Sequence, residues 1–491
     1  MRYKFLPALA LVAATGWLVR LALEASWAHF VEMCPNTDVL SWDANLRMLA
    51  VLDQFQDFAS GDWLRALFPL FDAPTWPPLR AIIALIVFGL NPGGPDTLLD
   101  VAISFVFYVL VFPSMLIIAF ELSRDWLRAA VIFFFASVLV LHTRELPVFG
   151  VSAMLETQGM FFMLWTLFFL HKVYERHEYR EASVILRERR DLPGKRRCVW
   201  GLLIFSQGLF HTKYPYGVML ILALSALEVL RNPKQLVDLV TLYLTRHMTG
   251  RRWFHYVLNA LKILALLAFA YVMIQRADIP AKTVKYAVYA VVLVFFIDFN
   301  VYLVQYRWPL RRLIDGVTRH VYLAVILPAA VWMLLPPDRV SSILGTQQHV
   351  QDASRSFFAS LGADVFDDSR PFLIFLACAL LALGVLGFQA LRRRFGLAST
   401  SAAEDATRVE ALGRPLMAVT VAMLLQFVIL EILTGNKQLR HIYHLVPAIL
   451  VLIGAWVMRL PRLIPAGKDA PPAFVRLRRI SVVMALLQPL I

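Results

Sequence analysis

The sequence predicts an all-α polytopic membrane protein of about twelve transmembrane helices, with membrane-parallel amphipathic helices in a long first external loop. Of its 491 residues, 59% are hydrophobic and only 17% are charged, and the mean hydropathy is +0.65. Soluble proteins carry roughly 45–50% apolar and about 25% charged residues, so a water-soluble enzyme is excluded. The 35 Phe, 12 Trp and 15 Tyr also exclude a disordered chain, because solvated coils contain few aromatic residues.

Ten apolar runs are candidate bilayer crossings, each of which requires about 20 residues. They are 5–25, 98–121, 127–141, 153–171, 258–275, 286–304, 320–336, 371–391, 415–433 and 443–458. The first run follows Arg2 and Lys4 as the core of a signal peptide would, but it contains Arg20 and lacks a clean small-residue cleavage site. We therefore expect a retained transmembrane helix.

The distribution of charge indicates how two further stretches are arranged in the membrane. Residues 80–90 are apolar but short. Residues 199–230 are too long for one helix and barely long enough for two, and Lys213, Tyr214 and Pro215 stand in their middle. If 80–90 lies on or dips into the membrane and 199–230 forms two short spans, the chain crosses twelve times with both termini in the cytoplasm. The cytoplasmic loops then hold 33 of the 48 basic residues, in agreement with the positive-inside rule. A full span at 80–90 would instead place the strongly basic loop 172–197 outside.

The net charge of +14 is thereby explained by orientation and by contact with anionic headgroups. A nucleic-acid partner is not needed, and the partner we expect is the lipid bilayer. The three cysteines, Cys34, Cys198 and Cys378, are far apart and lack the spacing of a metal site. No ligand cluster in the sequence requires a metal.

Polar residues concentrate in the segments expected outside. The first external loop, 26–79, carries seven acids against two bases and contains amphipathic patterns over 45–58 and 63–71. Amphipathic helices of this kind lie in the membrane interface. A second external loop, 337–370, is also acidic. Transporters usually place their site at the midplane between repeated halves, whereas here the polar residues crowd one face.

Two segments resemble a known superfamily. The first loop contains WDANLRMLAVLDQF and SGDWLRALFPLFDAPTWPPLR, and residues 435–447 read GNKQLRHIYHLVP. With an acid early in a long first external loop, this layout resembles the GT-C superfamily of polytopic glycosyltransferases, in particular family-39-like members related to protein O-mannosyltransferases and aminoarabinose transferases. The resemblance covers the layout of most of the chain. Many members have a second acid directly after the first, whereas Asp43 is followed by Ala44 here.

The resemblance implies a single transmembrane glycosyltransferase domain that moves a sugar from a polyprenyl-phosphate donor to a lipid, glycan or protein acceptor. It implies inversion at the anomeric carbon, on the periplasmic face of a bacterial inner membrane. Some relatives bind a divalent metal ion near the first acid, so such a cofactor stays open. Such a transfer needs a general base on the nucleophile and cations for the charge that develops on the leaving phosphate.

The candidate base is Asp43, with Asp38 as the alternative. Asp43 precedes a helical pattern, so it could instead be an N-cap, a position that favours Asp. The candidate phosphate ligands are cationic or polar residues in two external turns: Lys437, Arg440, His441, His444, Lys213 and Tyr214. The alternative for these turns is a basic collar that contacts lipid headgroups, with Lys213 extending to the interface.

Three charged residues near the second external turn are candidates for a supporting role: Glu145, Glu156 and Arg144. Acids at the mouth of a span are costly and therefore candidate functional residues, although Glu156 could simply stabilise a helix N-terminus. We expect Arg144 to pair with one of the two acids. We expect Asp298 to form a structural hydrogen bond to a neighbouring helix.

Two other function classes stay open. An O-antigen ligase or polymerase-like enzyme would normally have its large loop late in the chain rather than first. A lipid-linked-sugar flippase or transporter would need polar residues distributed through both leaflets.

Overall fold

The computed structural model of the protein describes residues 2–33, 42–72, 77–186, 195–246, 253–274, 281–305, 316–335, 339, 356–394, 400–433 and 438–463. Its helices, in chain order, are α1 (Arg2–Met33), α2 (Trp42–Ala59), α3 (Trp63–Asp72), α4 (Leu79–Leu90), α5 (Thr97–Ser123), α6 (Trp126–Leu141), α7 (Leu146–Gly150), α8 (Glu156–Leu186), α9 (Lys195–Thr212), α10 (Tyr214–Arg231), α11 (Pro233–Arg246), α12 (Trp253–Ile274), α13 (Ala281–Gln305), α14 (Gly316–Val321), α15 (Leu327–Leu334), α16 (Phe357–Ala363), α17 (Arg370–Arg394), α18 (Thr400–Leu433) and α19 (Val446–Leu463). A π-helical turn (Tyr322–Ile326) joins α14 to α15.

The predicted all-α class is confirmed, because within the described ranges the only extended pairing is an isolated bridge between Thr143 and Phe366. Eight helical segments of that part are long and apolar enough to cross a bilayer: Phe5–Glu32, Thr97–Ser123, Tyr214–Arg231, Tyr256–Ile274, Tyr286–Val304, Gly316–Leu334, Gly413–Leu433 and Leu439–Arg459. The chain is therefore a multi-pass integral membrane protein. Each of the ten predicted runs coincides with helical structure to within a few residues, while the count of twelve crossings stays a prediction.

A proline sets the boundary between α9 and α10. Pro215 occupies the first turn of α10, where the missing N–H costs no intrahelical hydrogen bond. Lys213, which precedes this turn, is extended with φ −155° and ψ 115°. The predicted division of 199–230 into two helices at this point is therefore confirmed.

A second proline explains the π-helical turn. Pro328 lies at the start of α15 and has no N–H to donate to Ala324, four residues earlier. The side chain of Gln207 on α9 donates instead, 3.2 Å to the Ala324 carbonyl and 3.1 Å to that of Val325. The irregular turn is thereby satisfied by a neighbouring helix and fixes 316–334 against α9.

Helix α8 lies at the centre of the bundle and packs against α5, α9, α18 and α19. Its contact with α9 is close because Gly201 and Gly208, seven residues apart, lie directly against the rings of Phe169 and Phe162. A side chain at either glycine would overlap the ring. Glycine at these positions therefore allows the two backbones to approach each other, as small residues do in membrane helix pairs.

The first loop forms the predicted helices. Helix α2 places Val51 and Phe55 against Ala84 and Phe88 of α4. Helix α3 leaves large apolar side chains exposed, among them Leu64 at 84%. Helix α4 has 12 residues and is therefore about 18 Å long, less than the hydrocarbon core of about 30 Å. This length fits the expectation that 80–90 does not cross the membrane.

Loops that were predicted to share a side of the membrane lie together in the bundle. At one end Arg459 donates to the Leu122 carbonyl at 3.0 Å, and Asn232 donates to the Thr318 hydroxyl at 3.2 Å. All four residues belong to or adjoin loops expected in the cytoplasm.

The segments that are expected outside lie together at the opposite end of the bundle. The Arg144 N–H donates to the Val365 carbonyl at 3.0 Å, which joins the second external turn to the 356–370 segment. The Phe357 N–H donates to Glu431 at 2.6 Å, near the end of α18. We call this the polar end of the bundle.

Candidate functional site

A buried ion pair marks the centre of the polar end. The Lys213 ammonium lies 3.1 Å from Glu156 Oε1, and the two side chains are 13% and 1% exposed. Glu156 is the first residue of α8, where the helix dipole favours a negative charge. Lys213 stands in the break before α10. The glutamate and lysine proposed separately from the sequence therefore meet in one site.

Tyr216 connects this ion pair to the turn before α19. Its hydroxyl lies 3.3 Å from the Lys213 ammonium and donates to the Arg440 carbonyl at 3.3 Å. Its ring stacks on His444 with centroids 3.7 Å apart and planes inclined by 15°. Gln426 on α18 lies 3.3 Å from His444 Nε2 and donates to the Tyr216 carbonyl at 3.4 Å.

Arg47 brings the first loop to the same place. This buried side chain projects from α2 and donates to the Ala153 carbonyl at 3.1 Å, just before α8 begins. Its guanidinium also lies 3.5 Å from Met154 Sδ. Arg47 is four residues after Asp43, so the two positions share one face of α2. Arg47 was not singled out in the sequence, where a lone arginine in an acidic loop carries no signal of its own.

Several cationic side chains lie close to Glu156. Glu156 interacts electrostatically with Lys213, Arg47 and Arg440, so three cations surround one buried carboxylate. Burial lowers the pKa of Lys213 below its ordinary value, against the opposing effect of Glu156, and Arg440 lowers it further. The arrangement suits a phosphate, onto which an arginine can form two hydrogen bonds.

The structure brings part of the predicted phosphate set together. Arg440 and His441 lie half-buried in the 3₁₀ turn Leu439–His441, and buried His444 follows in Tyr443–Leu445. Tyr214 lies apart from this cluster, because its hydroxyl accepts a hydrogen bond from the Trp332 indole at 3.0 Å. Tyr216 occupies the position beside Lys213 instead. The alternation of sides along a helix explains this difference, since residues two apart point in nearly opposite directions.

The three supporting candidates do not have the partners that the sequence suggested. The partner of Glu156 is Lys213, and the expected pairing of Arg144 with Glu145 or Glu156 is not found among the described residues. Arg144 is exposed. Glu145 accepts a hydrogen bond from the Tyr443 hydroxyl at 3.4 Å. Away from the site, Asp298 accepts from Tyr243 at 2.5 Å and pairs with Lys262 at 2.7 Å, which confirms its predicted hydrogen bond to a neighbouring helix.

Three predicted residues have no described side chain. The backbone of Asp43 belongs to the first turn of α2, one turn before Arg47. Asp38 and Lys437 lie outside the described residues.

Two adjacent cavities open beside the cluster. The first, of about 310 Å³, lies under α2 and α3 and is lined by Arg47, Gln54, Arg80 and Asp100 among apolar neighbours. The second, of about 690 Å³, is an almost wholly apolar groove that ends at His211 and Trp332. Leu70 and Pro78 line both spaces. We call the first the polar cavity and the second the apolar groove.

One group of potential metal ligands occurs in the described part of the chain, far along the bundle from this cluster. Glu121, His171 and Glu175 lie near one another. The Lys172 ammonium contacts Glu121 and lies 3.2 Å from Glu175, and Arg124 pairs with the same two acids. Because two internal cations already neutralise the two carboxylates, this group does not fit a divalent ion.

Comparison with protein-family models and with curated proteins gives no match. Comparison with solved structures finds the crystal structure of the Archaeoglobus fulgidus oligosaccharyltransferase in the apo form, with 13% identity and a TM-score of 0.45. The alignment covers 98% of this chain and 55% of that one. The chain thus spans about half the length of that protein, and a TM-score of this size does not by itself establish a shared fold.

Proposed function

We propose that this protein is a membrane glycosyltransferase that moves a sugar from a polyprenyl-phosphate donor to an acceptor at the polar end of the bundle. The observation that carries the proposal is the convergence of Arg47, Lys213 and Arg440 on the buried carboxylate of Glu156. Arginine and lysine side chains gathered in one place are the groups that bind a phosphate, arginine through two hydrogen bonds and lysine as a point charge.

The adjoining apolar groove supports a lipid as the carrier of that anion. Phe55, Leu67, Phe71 and Ile82 are among its lining residues, and they come from three helices of the first loop region. Its volume of about 690 Å³ is within the usual range of ligand pockets, about 300–1,000 Å³. A phosphate at the cluster and a hydrocarbon tail in the groove together describe a lipid phosphate.

The proposed reaction is a direct displacement. The acceptor oxygen or nitrogen attacks the anomeric carbon while the bond from that carbon to the phosphate oxygen breaks. Asp43 accepts the proton of the nucleophile, and the electron pair of the broken bond leaves with the phosphate. Arg440 and Lys213 stabilise the charge that grows there, an interaction that is stronger in the transition state than in the ground state.

We propose that this end faces the periplasm of a bacterial inner membrane, with both termini and the loop 172–197 in the cytoplasm. The partition of basic residues supports this orientation. In that case 26–79 and 337–370 are external, and the exposed apolar side of α3 lies in the interface.

The direct test is an assay of the purified full chain in nanodiscs with a panel of radiolabelled polyprenyl-phosphate sugars and an extract of membrane lipids and proteins as acceptor. Asp43→Asn should abolish transfer while leaving the protein folded, because asparagine has nearly the same size as aspartate and cannot accept the proton. Asp53→Asn is the matched control, since Asp53 is an exposed residue of the same helix. Full activity in Asp43→Asn with loss in Asp38→Asn would assign the base to Asp38. Failure of the wild-type protein to transfer any sugar of the panel would contradict the proposal.

A further inference from the structure

We infer that a cavity of about 1180 Å³, at the end of the bundle opposite to the polar end, binds an anionic phospholipid. Arg196 and Arg319 hold the lipid phosphate, and the acyl chains lie against α9, α10 and α13. This inference goes beyond the proposed function and does not depend on it, because the cavity is separate from the proposed donor site. We call this space the distal cavity.

The distal cavity lies between the main bundle and the peripheral helix α13. Residues of α9, α10, α11, α13 and the segment that begins with α14 line it. One of them is Thr318, which accepts the hydrogen bond from Asn232 at this end of the bundle. Helix α13 is largely exposed, and the Tyr322 hydroxyl links it to the segment 316–334 by donating to Asn300 at 2.9 Å. The cavity is therefore a gap between two parts of the transmembrane region.

The walls of the distal cavity suit hydrocarbon chains. Large apolar side chains on its rim are exposed, namely Trp200, Val229, Val304 and Leu323. Because these residues belong to membrane helices, the cavity opens sideways to the bilayer. Water is not favoured in apolar spaces, so acyl chains are the better filling. The volume of about 1180 Å³ exceeds the usual range of small-molecule pockets, about 300–1,000 Å³, which favours a ligand as large as a phospholipid.

Cationic side chains lie at the outer end of the distal cavity. Arg196 is exposed in the first turn of α9, and Arg319 belongs to the short helix α14. Ile326 and Leu327 also line the cavity, and they lie about 10 Å further along the same segment as Arg319. The cavity thus has cations at its outer end and apolar surface further in. A phospholipid has the complementary arrangement, with an anionic phosphate at one end and hydrocarbon behind it.

The single acid among the described lining residues has a counter-charge of its own. Glu228 pairs with Arg231 at 2.9 Å and accepts hydrogen bonds from the hydroxyl groups of Tyr174 and Thr318. A guanidinium has five N–H groups, so Arg319 can retain its other contacts while it donates to a phosphate oxygen. Basic pockets between membrane helices bind anionic headgroups, and arginine matches a phosphate with two hydrogen bonds. The charges of the cavity therefore favour an anionic lipid over a zwitterionic one.

The test is a titration of the purified full chain in detergent with phosphatidylglycerol whose acyl chains carry bromine, which quenches the fluorescence of a nearby indole. Trp200 lines the cavity, so the signal that Trp200→Phe removes reports this site in each variant. Phosphatidylglycerol should bind about tenfold or more tighter than phosphatidylcholine with the same chains.

Variants of Arg196 test the headgroup contact. Arg196→Ala should weaken phosphatidylglycerol binding about fivefold, the contribution of one basic side chain to the binding of an anionic lipid. Arg196→Lys should retain most of the affinity, because it keeps the charge. Arg197→Ala is the matched control, since Arg197 is the exposed neighbour of Arg196 and is not among the residues that line the cavity.

Two competitors identify the ligand. Glycerol 3-phosphate should not displace the lipid, because it lacks the chains, and polyprenyl phosphate should compete less well than phosphatidylglycerol. Displacement by glycerol 3-phosphate would assign the site to a free phosphate, and stronger competition by polyprenyl phosphate would make it a second donor site. Either result would overturn the inference, as would equal affinity for the two phospholipids or wild-type affinity in Arg196→Ala. None of these results would affect the proposed function, because donor binding is tested at the opposite end of the bundle through Arg440.

Discussion

The ring of Tyr216 stacks on the imidazole of His444, with 3.7 Å between centroids and 15° between planes. This contact joins the start of α10 to the turn before α19. Since the Tyr216 hydroxyl also bonds the Arg440 carbonyl at 3.3 Å, the stack fixes the position of Arg440 relative to Lys213. The spacing of the proposed phosphate ligands therefore depends on an aromatic pair as well as on the charged groups.

Gly159 on α8 makes that stack possible. A Cβ at this position would lie 2.7 Å from the Tyr216 ring and 3.1 Å from His444 Cβ, so one of the two must shift. We expect Gly159→Ala to slow transfer about tenfold or more, since overpacking costs about 1–3 kcal/mol and is felt at the site. Gly16→Ala is the control, because nothing lies within 4 Å of its Cβ. Unchanged transfer by Gly159→Ala would show that the stack does not position the ligands.

The Lys213–Glu156 pair should be important for stability as well as for binding. Lys213→Met leaves Glu156, whose side chain is 1% exposed, without its partner at 3.1 Å. We expect a loss of about 3–5 kcal/mol in the free energy of unfolding, because the buried carboxylate loses its hydrogen-bonded partner and retains only the electrostatic interactions with Arg47 and Arg440. The double variant Lys213→Met/Glu156→Gln should recover most of this loss.

The measurement is reversible unfolding in mixed detergent. Arg370→Met is the control, because Arg370 pairs with Asp368 at 2.9 Å on an exposed surface, where such pairs contribute little. Equal destabilisation by the single and the double variant would contradict the role of the pair.

Donor binding should weaken at alkaline pH, and the decline should begin at a lower pH than expected for a lysine with an ordinary pKa. Burial lowers the pKa of Lys213, so its positive charge is lost at a lower pH than that of an ordinary lysine. A sugar-linked phosphodiester keeps its charge throughout this range, so the donor itself does not titrate. Lys213→Arg should remove the alkaline decline, because arginine stays protonated. Binding curves from about pH 7 to about pH 10 would test this, and identical curves for the two proteins would contradict it.

The orientation of the bundle can be tested by labelling single cysteines in intact cells, in a background without the native cysteines. A cysteine at residue 190, in the basic loop 172–197, should react only after the membrane is permeabilised. A cysteine at residue 368, at the polar end, should react from outside. Labelling of residue 190 from outside would contradict the twelve-span arrangement.

The helices and their breaks follow from local sequence. Apolar runs of span length and a proline after Lys213 were sufficient to predict α9 and α10 as separate helices, because Pro215 cannot continue a helix. The helical character of 45–58 and 63–71 could also be predicted, since their apolar residues recur with helical period.

The composition of the site could be predicted only in part. Lys213, Glu156 and Arg440 were recognisable because charged residues are rare in apolar surroundings. Their pairing was not, because it depends on how helices far apart in sequence pack. Arg47 and Gln54 had no local signal in the sequence. Whether Tyr214 or Tyr216 belongs to the site depends on which side of α10 faces α8 and the turn before α19.

The central claim is that Arg440 holds the donor phosphate, and its most direct test is turnover at saturating donor together with donor affinity. Arg440→Ala should weaken binding and slow transfer together, because the contact strengthens as the phosphate leaves. Arg440→Lys should restore only part of both, since lysine retains the charge and loses the forked hydrogen bonds. Lys437→Ala tests the neighbouring cation, and Arg370→Ala is an exposed control at the same end of the bundle. Wild-type turnover and affinity in Arg440→Ala would contradict the account and reduce the cluster to a headgroup contact.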